Sequence, residues 1–270
     1  RGIRGLGRLK EARFTSCFAH NGHPLEDDSL AHLIRGLEHN SKLDRLSLSR
    51  NKCLQSGVSA LSALLDRTQV QHVDLSYQCV DNGEFLDLSS LVGAIGRTST
   101  LTSLELKYNK LSSDRDMAFL AAALMHNTSI KYIGLANNKI TNSGMEILCS
   151  RIPSMKTLAT LVLTNNSFDD QGAEKLAIAM KENLSIGRVE CNENLLSYKT
   201  IRYYADLNWG GRKIVKQRLD SGKSPIQQSL WPLVLARVNG LAGDQFTSAQ
   251  ERQAEVLYFL LQYGSAIFPL

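Results

Sequence analysis

Proline is scarce in this chain of 270 residues, with five positions, and tryptophan is scarcer, with two. That scarcity excludes collagen-like and proline-rich extended architectures. The five cysteines, at 17, 53, 79, 149 and 191, are odd in number, widely spread and form no Cys-x-x-Cys pair. A disulfide-dense scaffold is thereby excluded, and the pattern predicts reduced thiols in a cytoplasmic or nuclear protein. No apolar run reaches the ~18 residues a membrane helix needs, and the basic start from Arg1 to Lys10 leads into no apolar stretch of signal-peptide length. A soluble protein is expected, although a signal upstream of Arg1 stands outside this reading.

The frames that carry common chemistries are missing too. There is no Gly-x-Ser-x-Gly elbow and no His-Glu-x-x-His helix. Asp220-Ser-Gly-Lys-Ser224 lacks the earlier glycine of a phosphate loop, and Val215 to Leu219 before it has helical rather than strand character. Cys17, His20 and His23 share a three-residue spacing beside Glu26, Asp27 and Asp28, but zinc needs three or four converging ligands and no second cluster exists. That segment reads as a polar loop. No catalytic residue, cofactor or metal is expected.

What the chain has in abundance is leucine, at 42 of 270 positions. The frame Leu-x-x-Leu-x-Leu-x-x-Asn-x-Leu occurs as Leu101, Leu104, Leu106, Asn109 and Leu111. It returns as Leu43, Leu46, Leu48 and Asn51, as Ile130, Ile133, Leu135, Asn138 and Ile140, and as Leu158, Leu161, Leu163, Asn166 and Phe168. Weaker copies are Val70, Val73, Leu75 and Gln78, and Ile186, Val189, Cys191, Asn194 and Leu196. The starts at 43, 70, 101, 130, 158 and 186 are separated by 27, 31, 29, 28 and 28 residues, a regularity that marks a structural repeat.

Each unit begins with strand-like alternation, as in Leu161-Val-Leu163. It continues with aliphatic pairs four apart, such as Leu61 and Leu65, Leu120 and Leu124, or Leu176 and Met180, which share one helix face. Gly57, Gly144 and Gly172 are expected in the turn before the helix. One such unit cannot hide its leucines alone, so units must stack, with strands in a parallel sheet and helices in an outer layer. The asparagine column is expected to satisfy backbone groups where the chain leaves the sheet, with Gln78 reaching them less well.

These motifs resemble the leucine-rich repeat proteins over about Leu43 to Leu196, and the alternating strand and helix of ~28 residues resembles the ribonuclease-inhibitor-like subfamily. The resemblance implies an α/β solenoid, a horseshoe with parallel strands on its concave face. Its members include ribonuclease inhibitors, Ran GTPase-activating proteins and sensor regions of nucleotide-binding immune receptors, so the fold implies binding without naming a partner. Residues 1–42 are expected to form a degenerate capping repeat, with Leu9, Ala12, Phe14 and Cys17 as its frame, a loop over His20 to Asp28, and Leu33 and Leu37 on its helix. Residues 43–198 hold the repeats, and 199–270 a helical cap with helices over Ile214 to Leu219, Leu230 to Val238 and Ala249 to Tyr263. Asn208-Trp-Gly-Gly-Arg-Lys and Leu230-Trp-Pro-Leu-Val-Leu-Ala-Arg are similar to an extension that follows repeats in algal and stramenopile proteins.

Strand residues pointing away from the core make four columns: one from Arg45 through His72 and Tyr132 to Arg188, one from Ser47 to Glu190, one from Ser49 to Asn192, and one from Arg50 through Tyr77 and Tyr108 to Glu193. Tyrosine and arginine combine large contact area with polar tips, which suits binding hot spots. Arg45, Arg50, His72, Tyr77, Tyr108 and Tyr132 are therefore the candidate partner-binding residues, and a non-catalytic scaffold for a protein partner is the expected function. The resemblance also admits a Ran-type activator of a small GTPase, using Asn137, Asn138, Asn165 and Asn166, although the chain ends Ala266-Ile-Phe-Pro-Leu270 without that group's acidic tail. A third alternative is a sensor fragment of an immune-type receptor. The net charge of +5 is concentrated between Lys199 and Lys223, where seven basic residues face Asp206 and Asp220; this reads as a solvated helix face rather than a nucleic-acid site. Three sequons, at Asn127, Asn165 and Asn183, read as coincidence.

Overall fold

The computed structural model describes residues 9–15, 24–78, 86, 88–112 and 114–209. Seven short strands form one parallel sheet in chain order: β1 (Glu11–Arg13), β2 (Arg45–Ser47), β3 (His72–Asp74), β4 (Ser103–Glu105), β5 (Tyr132–Gly134), β6 (Thr160–Val162) and β7 (Arg188–Glu190). Helices alternate with them: α1 (Asp27–Arg35), α2 (Gln55–Arg67), α3 (Ser89–Arg97), α4 (Asp114–His126), α5 (Asn142–Arg151), α6 (Asp170–Glu182) and α7 (Tyr198–Trp209). A 3-10 turn, Ile152–Ser154, ends α5. Strands sit about 4.8 Å apart whereas packed helices need about 8–10 Å, so the sheet side curves inward.

The register shows why the frame recurs. Ala12, Leu46, Val73, Leu104, Ile133, Leu161 and Val189 are direct partners across the sheet. The first six are buried, as are Leu48, Leu75, Leu106, Leu135 and Leu163 two residues on. Helix stripes such as Leu61 and Leu64, Leu91 and Ile95, or Leu176 and Met180 close the same interior, so one continuous core runs from Ala12 to Ala205. Each buried leucine contributes about 1.5–3 kcal/mol, and because neighbouring repeats share the buried surface the units hold one another.

Amide side chains stitch the turns. Asn109 donates to the Leu75 and Leu106 carbonyls at 2.8 and 3.0 Å and accepts from the Gln78 amide. Asn138 donates to Leu106 and Leu135, each at 3.0 Å, and accepts from Asn109 at 2.8 Å. Asn51 and Asn166 do the same work in their own turns. Gln78 takes its place in the ladder, donating to Leu48 at 3.1 Å and accepting from the Cys53 amide at 3.0 Å. Its bond within its own repeat goes to Ser76 at 3.4 Å, the weaker reach expected of the longer side chain.

A second asparagine set ends the helices. Asn127 donates to the Ile95 and Thr98 carbonyls and accepts from the amides of Ser129 and Ile130; Asn183 repeats this with Ile152, Met155, Ser185 and Ile186. Both are buried with their amide nitrogens committed, so two of the three sequons are structural caps. Asn208 continues the set by donating to the carbonyls of Asn183 and Ile186.

Four expectations need correction. Gly57, Gly144 and Gly172 lie inside the first turns of α2, α5 and α6, not before them. Their role is close approach: a Cβ on Gly57 would stand 2.8 Å from Asp27 Oδ1, and one on Gly172 would stand 2.8 Å from Asn142 Oδ1. Those oxygens cap the helix, Asp27 accepting from the amides of Leu54, Ser56 and Gly57 at 2.7–2.8 Å. The last copy breaks its frame. Asn194 is exposed and Leu196 is 82% exposed, because the chain turns there through bonds from Leu195 to Asn192 and from Tyr198 to Leu195 into α7.

The first helix starts at Asp27, so Asp27 and Asp28, expected in a loop, belong to α1. Its buried stripe is Leu30, Ala31 and Ile34; Leu33 is half-buried, and Leu37 is buried beyond the helix end. At the other end α7 is a helix the sequence reading did not single out. It buries Ile201 and Ala205 and lays Trp209 against Gly187. The expected helices beyond residue 209, the Gly-Lys-Ser segment, most of the basic stretch, and Cys17, His20, His23 and Cys79 lie outside the described residues.

Candidate functional site

The sheet register turns the strand residues into straight columns. Glu11, Arg45, His72, Ser103, Tyr132, Thr160 and Arg188 are aligned in one, and Arg13, Ser47, Asp74, Glu105, Gly134, Val162 and Glu190 in the next. At the N-terminal half of this face lies an open cavity of about 480 Å³ whose lining includes Arg13, Arg45, Ser47, His72, Asp74 and Glu105. Its charges are mixed and partly satisfied. Arg13 pairs with Glu11 at 2.7 Å and Arg45 with Asp44 at 3.6 Å, while Asp74 accepts from Ser47 Oγ and the Ser76 amide.

Further along, the face closes. Tyr132 Oη donates to Glu105 at 2.8 Å, and burial, then this bond, raises the Tyr132 phenol above its ordinary range. The Glu105 carboxylate lies where the Cβ of a side chain on residue 134 would stand. Glycine at 134 is what makes room for it. Ser76 and Ala136 of the third column are buried, as is Val162 of the second, so neither column is an open surface along its length.

The six candidate residues therefore divide. Arg45 and His72 are register partners at the cavity. Tyr132 shares their column, with Ser103 between, but is half-buried and committed to Glu105. Arg50, Tyr77 and Tyr108 form a separate row in the turns that leave the sheet. There the rings of Tyr77 and Tyr108 stack with centroids 4.0 Å apart and 13° between planes, and the Arg50 guanidinium lies 5.1 Å over Tyr77. The Tyr108 hydroxyl, followed by burial, holds the Tyr77 phenol above the usual value against the lowering effect of Arg50.

The row has a backbone signature that sequence reading missed. Arg50, Tyr77, Tyr108, Asn137 and Asn165 have φ of 61°, 54°, 59°, 55° and 57°. Asparagine tolerates this left-handed region, whereas a residue with an ordinary Cβ loses roughly 1–2 kcal/mol there. Stacking recovers only about 0.5–1.5 kcal/mol per aromatic pair, so the turn itself does not favour arginine or tyrosine. Residues held in such conformations concentrate at functional sites. The consecutive asparagines at 137 and 165 were the available signal.

The asparagines considered for GTPase activation are occupied. Asn138 and Asn166 belong to the ladder, and Asn165 donates to Asn137 at 3.1 Å. The described cysteines are buried, with burial pushing the thiols of Cys53 and Cys149 up to about 12 and that of Cys191 to about 11. Such thiols are packing groups, not nucleophiles. Among the described residues no group of three or more His, Cys, Asp or Glu could hold a metal ion, and no helix is long and apolar enough to cross a membrane.

Comparison with known proteins fits this geometry. A family model described as Leucine Rich repeat matches residues 126–149 and 154–177. Human centrosomal protein of 78 kDa is 35% identical over 92 residues, 34% of this chain and 13% of that protein. Human NACHT, LRR and PYD domains-containing protein 13 is 30% identical over 153 residues, 56% of this chain and 14% of that protein. Human capping protein, Arp2/3 and myosin-I linker protein 3 is 30% identical over 178 residues, covering 63% and 12%. The chain thus spans only about an eighth of the length of these relatives. Frame, sheet and family match together show a solenoid built of leucine-rich repeats.

Proposed function

We propose that the chain is a non-catalytic scaffold that binds a protein partner through the strand face and the turns at its rim. The observation that carries this is the unbroken register of seven strands, which fixes side chains of successive repeats in straight columns. A surface set in advance loses little entropy on binding. The name of the linker protein, which joins capping protein, Arp2/3 and myosin-I, supports a protein-binding use of this fold. We also propose the division into a cap over 1–42, repeats over 43–198 and a C-terminal cap from 199. The decayed first frame and the seat of α7 on the last repeat support it.

The test is a photo-crosslinking amino acid placed at Ser103 on the strand face or at Ile178, which is 58% exposed on α6, in an extract of the source cells. Crosslinks to a defined protein set from position 103 and none of that set from 178 are expected. Equal patterns, or none from 103, overturn the reading.

A further inference from the structure

The rim row carries more than general stickiness. Its backbone is pinned across the repeats, with the amides of Arg50, Tyr77, Tyr108 and Asn137 donating to the carbonyls of Ser76, Lys107, Ala136 and Thr164 at 2.9–3.2 Å. Side chains at these positions are therefore spaced by the strand repeat, which is near the stacking distance of flat groups. The row runs Arg50, Tyr77, Tyr108 and then Asn137. One face of Tyr108 rests on Tyr77; on its other side the next residue is a short asparagine, and Tyr108 is 41% exposed. The stack thus ends at a partly exposed ring beside a short side chain.

The turns at that end of the row carry lysines. Lys107 and Lys110 flank Tyr108 in sequence, and the Lys139 amide donates to the Leu111 carbonyl at 3.0 Å, which sets Lys139 beside Lys110. Among the described residues no carboxylate pairs with Arg50, Lys107, Lys110 or Lys139, whereas Arg45, Arg67, Arg97 and Arg188 all have acidic partners. Cations without local partners attract an acidic ligand and steer its approach.

We infer that the rim at Tyr108 is a docking site for an acidic segment of a partner protein, with an aromatic side chain of that segment extending the Arg50–Tyr77–Tyr108 stack over Asn137 and its carboxylates meeting Lys107, Lys110 and Lys139. A single-stranded nucleic acid fits less well. The stack ends at one ring rather than offering a platform for successive bases. The inference rests on the scaffold reading and names the chemistry of its partner.

Selection of random peptides displayed on phage against the immobilised chain tests it, followed by fluorescence anisotropy with the enriched peptides. Enrichment of Asp and Glu around one aromatic residue is expected. Those peptides should weaken about tenfold or more with Tyr108→Asn, the scale on which loss of a hot-spot residue is felt, and similarly with the Lys107→Glu, Lys110→Glu double variant. The asparagine variant suits the turn, as Asn137 shows, so circular dichroism and melting should match the parent chain. Enriched peptides that are basic or lack aromatics, binding unchanged in Tyr108→Asn, no enrichment, or tighter binding of an oligothymidine competitor each overturn the inference. If peptides lose binding with Arg45→Glu but not with Tyr108→Asn, the rim site falls while the scaffold reading stands.

Discussion

At the scale of single residues, burial governs more chemistry here than reactivity does. Cys53 is raised to about 12 by burial first and the Asp27 charge second; Cys149 is raised as far by burial, against the opposing pull of Lys175. An unfolded chain ionises these thiols from about pH 9, while the folded one keeps them protonated to about 12. The unfolded state therefore binds fewer protons in that window, and stability falls as pH rises through it. Each thiol contributes a loss that approaches about 1.4 kcal/mol per pH unit once pH exceeds the unfolded value. Urea unfolding between pH 8 and about 10.5 is expected to show this fall, and Cys53→Ala with Cys149→Ala to flatten it by up to about 2.8 kcal/mol per unit. An unchanged pH slope in the double variant would show that the thiols do not carry the effect. The same scale explains what sequence reading missed. Asn127 and Asn183 each stand three residues before a frame aliphatic, yet a sequon and a buried cap share the letters Asn-x-Ser.

Elements were the most legible level, since aliphatic spacing is set by the geometry of a helix face and a pleated strand. The concealed part was contact between elements. Gly57 and Gly96 look alike in sequence, both in helices, but a Cβ on Gly96 would meet only the Ala123 carbonyl at 3.9 Å whereas one on Gly57 strikes the capping Asp27. Gly96→Ala is expected to stabilise by about 0.4–1 kcal/mol, because the site has room for a Cβ and the unfolded chain loses freedom. Gly57→Ala is expected to destabilise by about 1–2 kcal/mol through loss of the cap, outweighing the same gain. Thermal melts of the two variants should therefore shift in opposite directions. A rise for both would mean that Asp27 moves aside without loss.

Over the whole molecule, stability is a chain of couplings between neighbours, and the asparagine ladder makes those couplings measurable. A carbonyl oxygen has two lone pairs, and each of three ladder carbonyls uses them on amides from adjacent repeats: Leu48 accepts from Asn51 and Gln78, Leu106 from Asn109 and Asn138, and Leu135 from Asn138 and Asn166. Removing one amide leaves its neighbour on the shared oxygen; removing both strands a buried acceptor. Asn109→Ala and Asn138→Ala together are thus expected to cost more than the sum of the single variants, by about 0.5–3 kcal/mol. Asn51→Ala with Asn166→Ala, which share no carbonyl, should add to within about 0.5 kcal/mol. Denaturant unfolding of the two cycles separates the possibilities. Additivity in the neighbouring pair would mean that repeats are held by their leucines alone. Coupling of equal size in the distant pair would mean that the solenoid responds as one rigid body rather than repeat by repeat.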